Sequence, residues 1–537
     1  AVALALTLAE VLRRPRARAS RAAGLALVAA CALLLPACST SSEAPPPDAL
    51  LFLADGRQAG VVELYACDAN GQGLRVVSGA LVPAADVLDF AWSPDRQLVA
   101  FRADRDSDEQ YELYLVDIVN GGSPVKVSGP LAAGGDVYGG YAWRDDGLRL
   151  AYVADANAPL QTELFVAALS GAAQRVSPTL AAGGYVNDFA WQPGGLRLAF
   201  RADVDGSGRE LLHTVSAEGT GLSADTAVLG TTQDLAWSPS GLRVAVLADV
   251  ANDGRFALRT LDALGGDAQD ASALASAANP LASVQAFAWR DDGLRLAYLA
   301  DRDVAGRTDA WAAAPGGSAQ ALLRAAPAGR HVLEVACQPA GTRVALRVED
   351  ATTALPTLWL VDDDGTDSVA VMGAPGTEGV LDLAWSPDGT QLAFRADTDV
   401  DGAPDLYSVL ADGLSAPQRL STLGTGEQVF DVRWSPDGTR LLYTSDDDAP
   451  VTLVRDLFLV TPGSPAQRLT SHTTLASSVG GYTVTQDGTQ AAWDDGLTPG
   501  EPRAVFLLTL ANVPLLPLQV TAPLDPPLTA SGSVAAR

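Results

Sequence analysis

One segment of this chain recurs almost from end to end, and that recurrence restricts the folds open to it. The clearest copy is Leu-Asp-Leu-Ala-Trp385-Ser-Pro-Asp-Gly389, continuing to Tyr407. The position of Trp385 is filled elsewhere by Trp92, Trp143, Trp191, Trp237, Trp289, Cys337, Trp434 and Val484, at intervals of 46 to 52 residues. A period near 50 is that of a propeller array. Within a unit apolar residues alternate, first in LDLAW and then in TQLAF, so both stretches read as strands. Between them Ser386-Pro387-Asp388-Gly389 reads as a tight turn, with proline presetting one dihedral and glycine taking the permissive position. Eight of nine units keep that glycine (147, 195, 241, 293, 341, 389, 438 and 488), and Arg96 stands in the ninth. A third strand follows at Asp405–Leu410 and a fourth at Gln418-Arg-Leu-Ser421. Four short strands per unit make one propeller blade.

The fold class expected is therefore all-β: a β-propeller of four-stranded antiparallel blades, with nine to ten units in one large ring. Two smaller propellers in tandem are the alternative, but no linker, charge run or break in spacing divides the chain. A lone blade leaves both of its faces bare, so neighbours must stack. The recurring tryptophan is expected to be the wedge between them. An aromatic ligand platform is the functional alternative, and a fixed core position in unit after unit argues against it.

With the motif in view, a resemblance can be stated. Trp385-Ser-Pro-Asp-Gly389 and Trp434-Ser-Pro-Asp-Gly438, each followed by a second strand and, in the first copy, by Leu-Tyr-Ser-Val, resemble the TolB-type, WD-repeat-like propeller family. Looser copies such as Trp143-Arg-Asp-Asp-Gly147 extend the likeness over most of residues 50–522. It implies the fold; the family's members serve as scaffolds, receptors and enzyme modules alike.

The start of the chain points to export. Arg13, Arg14, Arg16, Arg18 and Arg21 precede an apolar run from Ala22 to Leu35. That run is short for a membrane span and suited to a signal core. It ends in Leu35-Pro36-Ala37-Cys38, which resembles a bacterial lipoprotein box and implies lipidation of Cys38. Ser39, rather than aspartate, follows, which in such lipoproteins leans toward the outer membrane. Residues 1–37 are thus expected to be a signal peptide and 38–49 a proline-rich flexible tether. Residues 50–527 are expected to be propeller repeats, and 528–537 a tail. The first unit lacks its first strand, and Leu528-Thr-Ala-Ser-Gly-Ser-Val534 in the tail is the candidate to close the ring.

Asp and Glu number 64 against 36 Lys and Arg, a net charge of −28. So acidic a chain repels phosphates, which excludes nucleic acid as a partner class. Two sets of carboxylates are candidate sites. Asp397, Asp399, Asp401 and Asp405 line one loop at spacings that could gather oxygen ligands around calcium. An EF-hand loop is excluded, because Ser408 stands where that motif requires glutamate. Asp89, Asp188, Asp234, Asp382 and Asp431, with Glu334 as a variant, lie three residues before the tryptophan position. On innermost strands they would either ring the channel, binding a cationic ligand, or cap backbone donors. Catalysis has no motif behind it. No Gly-x-Ser-x-Gly elbow occurs, and His213, His331 and His472 fall in separate units. Cys67 and Cys337 lack metal-ligand or redox spacing. The expectation is a non-catalytic, lipid-anchored module at the cell envelope that binds or scaffolds an envelope protein or peptide. It needs no cofactor, with calcium the one candidate ion. A propeller lyase or hydrolase acting on polysaccharide or peptide is the alternative.

Overall fold

The computed structural model describes residues 49 to 536 except 55–60, 69, 224–229, 275–277, 374–375, 399–401, 425–426, 447–453, 473–478, 486–487, 497–502, 511–517 and 520–533. Cys38 and its tether therefore lie outside the described residues, as do Asp399 and Asp401.

Strands follow one another in ten antiparallel sheets, each built from consecutive segments, and the sheets form a ten-bladed β-propeller. Blade 1 has strands Ala49–Ala54, Glu63–Asp68 and Arg75–Val76. Blades 2 to 10 run over residues 87–126, 142–175, 185–216, 231–270, 284–324, 332–372, 380–419, 429–468 and 479–519. Blade 4 shows three strands among the described residues and the others four. The ring closes at blade 1. Its missing first strand is Val534–Ala536, which pairs with Leu50–Phe52 through Leu50 opposite Ala536, Leu51 opposite Ala535 and Phe52 opposite Val534. The closing strand thus starts where the expected stretch, 528–534, ends. Pairing the two chain ends leaves no first-strand edge bare in the ring.

Six of the seven tryptophans at the repeat position bond across a blade junction. The indole N–H of Trp143 donates to Ala91 O, Trp191 to Ala142 O, Trp237 to Ala190 O, Trp289 to Ala236 O, Trp385 to Ala336 O and Trp434 to Ala384 O. In every case the acceptor is the residue just before the tryptophan position of the preceding blade. Trp191 and Trp237 are buried, whereas Trp385 and Trp434 keep partial exposure. The indole nitrogen of Trp92 has no partner among the described residues.

Second and third strands are held by facing aromatic rings. Phe101 stacks on Tyr114, Tyr152 on Phe165, Phe394 on Tyr407 and Tyr443 on Phe458, with centroids 5.0 to 5.6 Å apart. Such pairs contribute about 0.5–1.5 kcal/mol beyond their buried area. His213 occupies this position in blade 4, stacked on Phe200 at 5.1 Å. It is therefore a packed ring, and burial pushes its pKa below the usual 6.5.

The first hairpin turn is held by its own side chains. Ser386 Oγ donates to Asp388 Oδ1 at 2.6 Å and accepts from Gln391 N at 3.0 Å. Gly389 has φ +69°, and a Cβ there would lie 2.0 Å from Pro339 O of the preceding blade. In blades 4 and 7 the left-handed residue is one position earlier, at Gly194 and Ala340, so Gly195 and Gly341 do not play the role expected of them.

Candidate functional site

The carboxylates three residues before the tryptophan are not free. Register places Asp89 opposite Arg102, Asp188 opposite Arg201, Glu334 opposite Arg347 and Asp382 opposite Arg395. A bulge precedes each acid, between Val87 and Asp89 for example, and turns its side chain toward the arginine. Arg201 grips Asp188 with both oxygens, at 2.8 and 2.9 Å. The same arginines reach the next blade. Arg102 NH1 donates to Val137 O, Arg201 NH1 to Thr232 O, Arg347 NH1 to Val380 O and Arg395 NH1 to Val429 O, all within 3.2 Å. One acid and one arginine per blade thus form a latch across the junction. Burial works against the Arg201 charge, but hydrogen bonding to Asp188 and the fields of Glu210 and Asp234 outweigh it and raise its pKa.

The other two acids differ. Asp431 has Arg433 at 3.6 Å on its own strand. Asp234 is itself the bulged residue, at φ +43°, with no arginine across from it. Of the five aspartates, Asp89, Asp188 and Asp382 are thus each paired with an arginine of their own blade.

Blade 3 lacks both members of the latch. Gly140 stands at the acid position and Val153 at the arginine position, and the first strand is reduced to Ala142–Trp143 plus a bridge from Val137 to Ala154. Two large charged side chains are thereby replaced by a hydrogen and an isopropyl group. A cavity of about 520 Å³ opens between blades 3 and 4, lined by Tyr138, Gly140, Tyr141, Val153, Tyr185 and Phe189, with Thr162, Asn187 and Asp188 among the polar groups. Blades 5, 6, 9 and 10 also lack the arginine, with Leu247, Leu299, Thr444 and Asp494 in its place.

The opening does not strand the Val186 carbonyl. Val186 O occupies the place that receives an arginine at the latched junctions, and Thr162 Oγ1 donates to it at 2.7 Å. Each tyrosine hydroxyl is fixed by a carboxylate: Tyr141 by Asp89 at 3.0 Å, Tyr185 by Glu210 at 2.9 Å and Tyr138 by Asp155 at 3.3 Å. Burial and then Asp89 raise the Tyr141 pKa, while the hydrogen bond to Glu210 is the main cause for Tyr185. All three phenols therefore stay protonated, and the three side chains line the cavity. Aromatic walls with carboxylates behind them suit an apolar, aromatic or cationic group.

The acidic loops have a local role at their first residue. Asp397 accepts from Thr377 N and Oγ1 and from Gly402 N, and Asp405 accepts from Ser421 Oγ and Arg419. Asp104 and Asp301 likewise accept backbone N–H groups from the segments leading into the first strands. Among the described residues no three His, Cys, Asp or Glu gather as metal ligands. His331 contacts Thr308, and His472 Nδ1 lies 2.6 Å from Asp456, so the two belong to separate local networks. Cys67 and Cys337 are free thiols, pushed up to about 12 chiefly by burial.

The cavity was not among the sequence candidates. Its signal was a departure from the repeat, Tyr-Gly-Gly-Tyr-Ala-Trp143 where other units read acid-apolar-Ala-Trp.

No protein-family model and no curated protein matches the chain. Solved structures similar to it include a eukaryotic initiation factor, 12% identical, covering 80% of this chain and 98% of that one at a TM-score of 0.48. A prolyl endopeptidase is 13% identical over 68% of this chain and 53% of its own, at 0.39. The tricorn protease is 13% identical over 86% and 49%, at 0.31. This chain spans about half the length of the two peptidases.

Proposed function

We propose that this protein is a non-catalytic, lipid-anchored propeller at the cell envelope that holds a peptide segment of another envelope protein. The cavity between blades 3 and 4 carries the reading. Its aromatic walls and surrounding carboxylates favour a segment presenting a basic or aromatic side chain, since a cation over a tyrosine face gains about 0.5–2 kcal/mol. Lipidation at Cys38, an outer-membrane location and the TolB-type resemblance belong to the same proposal, which requires neither nucleic acid nor a resident cofactor. A lyase or hydrolase would need several His, Glu and Arg groups converging on one mouth. The cavity's charged lining is Asp188, already held by Arg201.

The test is crosslinking in intact cells with three forms: wild type, Cys38→Ala, and Gly140→Asp combined with Val153→Arg. The last installs the latch of the neighbouring blades and fills the cavity. A Cβ on Gly140 would sit in ordinary contact, 3.8 Å from the Phe189 ring. One envelope protein captured by the wild type and lost from both variants supports the reading. Equal capture by the filled form removes the cavity from it, and no capture above background removes the scaffold function.

A further inference from the structure

The turns joining first and second strands carry a second pattern. In blades 3 to 6 the residue after the turn glycine is leucine: Leu148, Leu196, Leu242 and Leu294. These side chains are 51%, 58%, 71% and 64% exposed. At the same place blades 2 and 7 to 10 carry Gln97, Thr342, Thr390, Thr439 and Thr489. The turn itself therefore has no need of an apolar residue.

The four leucines form one arc, because neighbouring turns touch. Gly194 N donates to Asp145 Oδ2 at 2.6 Å, Gln192 Nε2 donates to Gly241 O at 2.7 Å, and Gly293 lies against Ser240. Leu264, 66% exposed in another turn of blade 5, widens the arc. Charge is locally balanced in a chain of net −28. Each leucine is followed by an arginine, and Arg144 and Arg290 pair with Asp146 and Asp292 within the turns.

The ends of the ring lie on this same face. Ala49 opens its strand opposite Asp68, just as Leu98, the residue after the first turn of blade 2, lies opposite Asp117. Val534–Ala536 ends in register with the residues that lead into that turn. A tether ending at Asp48 thus joins the propeller on the leucine face.

We infer that the arc of Leu148, Leu196, Leu242 and Leu294 is a membrane-docking surface that seats in the interfacial layer of a lipid bilayer. The inference rests on the envelope location proposed above. Eleven residues from Cys38 to Asp48 could span at most about 40 Å before the strand that opens at Ala49 on this face. Leucine side chains bury in the acyl boundary, while the adjoining arginine stems lie along it and keep their heads in water. Repulsion from the acidic body weakens docking on anionic lipid and is relieved by salt, the reverse of a basic patch.

Flotation of a chain spanning residues 39–537 tests this without any lipid anchor, since the ring closes on its own ends. The comparison form carries Leu148→Thr, Leu196→Thr, Leu242→Thr and Leu294→Thr, the residue four other blades already have. Vesicles of phosphatidylethanolamine and phosphatidylcholine, with and without phosphatidylglycerol, are the probe. The expected result is a fall of about tenfold or more in vesicle partitioning (each 1.4 kcal/mol being tenfold) at an unchanged melting temperature. Equal partitioning of the two forms, or none by either, overturns the inference. So does a wild type that sediments as a dimer while the variant is monomeric, which would assign the arc to contact between copies. Fractionation of cells carrying full-length wild type or Cys38→Ala tests the anchor separately, so the two ideas can fail independently.

Discussion

The junction of blades 2 and 3 and the junction of blades 3 and 4 are built on the same plan and end differently. Both keep the indole-to-carbonyl bond, Trp143 to Ala91 and Trp191 to Ala142. Both keep a backbone bond at the start of the first strand, Val137 N to Tyr111 O and Val186 N to Thr162 O. The first junction adds Asp89, Arg102 and the Tyr141 hydroxyl in one network. The second has Gly140 and Val153 in place of the ion pair, and a threonine hydroxyl on the carbonyl that an arginine would take. Wedge and backbone are thus enough to hold two blades together. The latch is a removable layer, and in blade 3, where Gly140 and Val153 replace it, a cavity lies at the junction.

If the wedge is the common requirement, its loss should have the largest effect. Trp237→Ala is expected to destabilise by about 3–5 kcal/mol, because a buried ring and its hydrogen bond are lost together. Urea unfolding followed by circular dichroism measures it, and a loss below 1 kcal/mol (about a fivefold change in equilibrium) would show that blades do not depend on the wedge. Opening the latched junction should cost less. Arg102→Val leaves Asp89 with the Tyr141 hydroxyl but without its arginine, and Val137 O without the arginine donor, an expected loss of about 1–3 kcal/mol. Adding Asp89→Gly should restore part of it and reproduce the open junction; a double variant worse than the single would mean that the two junctions are not equivalent. Closing the open junction with Gly140→Asp and Val153→Arg is expected to change stability by about 1 kcal/mol or less, with removal of a flexible glycine offsetting the burial of charge.

The smallest effect concerns His213 in blade 4. Its folded pKa is depressed by burial, so the unfolded chain binds more protons as pH falls. Its contribution is whole above the ordinary value of 6.5 and is lost progressively below it. His213→Phe, which supplies the ring that other blades carry there, should remove about 1 kcal/mol of the acid-induced loss between roughly pH 7 and pH 5.5. Melting curves at the two pH values check it, and an unchanged pH dependence would place the titration elsewhere.

Much of the fold was legible because a repeat states its rule many times. Seven tryptophans at one position located the wedge, and the serine-proline-aspartate-glycine turn located the hairpins. The closing strand was only partly legible, since Val534, Ala535 and Ala536 carry no motif and are recognised by their pairing with Leu50, Leu51 and Phe52. The candidate site was less legible still. Recurrent aspartates drew attention as ligands, yet Asp89, Asp188 and Asp382 face arginines thirteen residues on, a spacing that only strand register turns into contact.

Period, alternation and turn chemistry are local properties, and the sequence alone determined them: the four-stranded blade and its wedge position, while the single closed ring was decided by the pairing of Val534–Ala536 with Leu50–Phe52. What a departure from the period does depends on what the next blade sets against it. Gly140 and Val153 in blade 3, Leu247 in blade 5, and Ala286 and Leu299 in blade 6 all break the same latch. Only tertiary structure decided that the first break leaves a cavity, because the walls of that cavity, Tyr185 and Phe189 among them, come from the next blade as well as from blade 3.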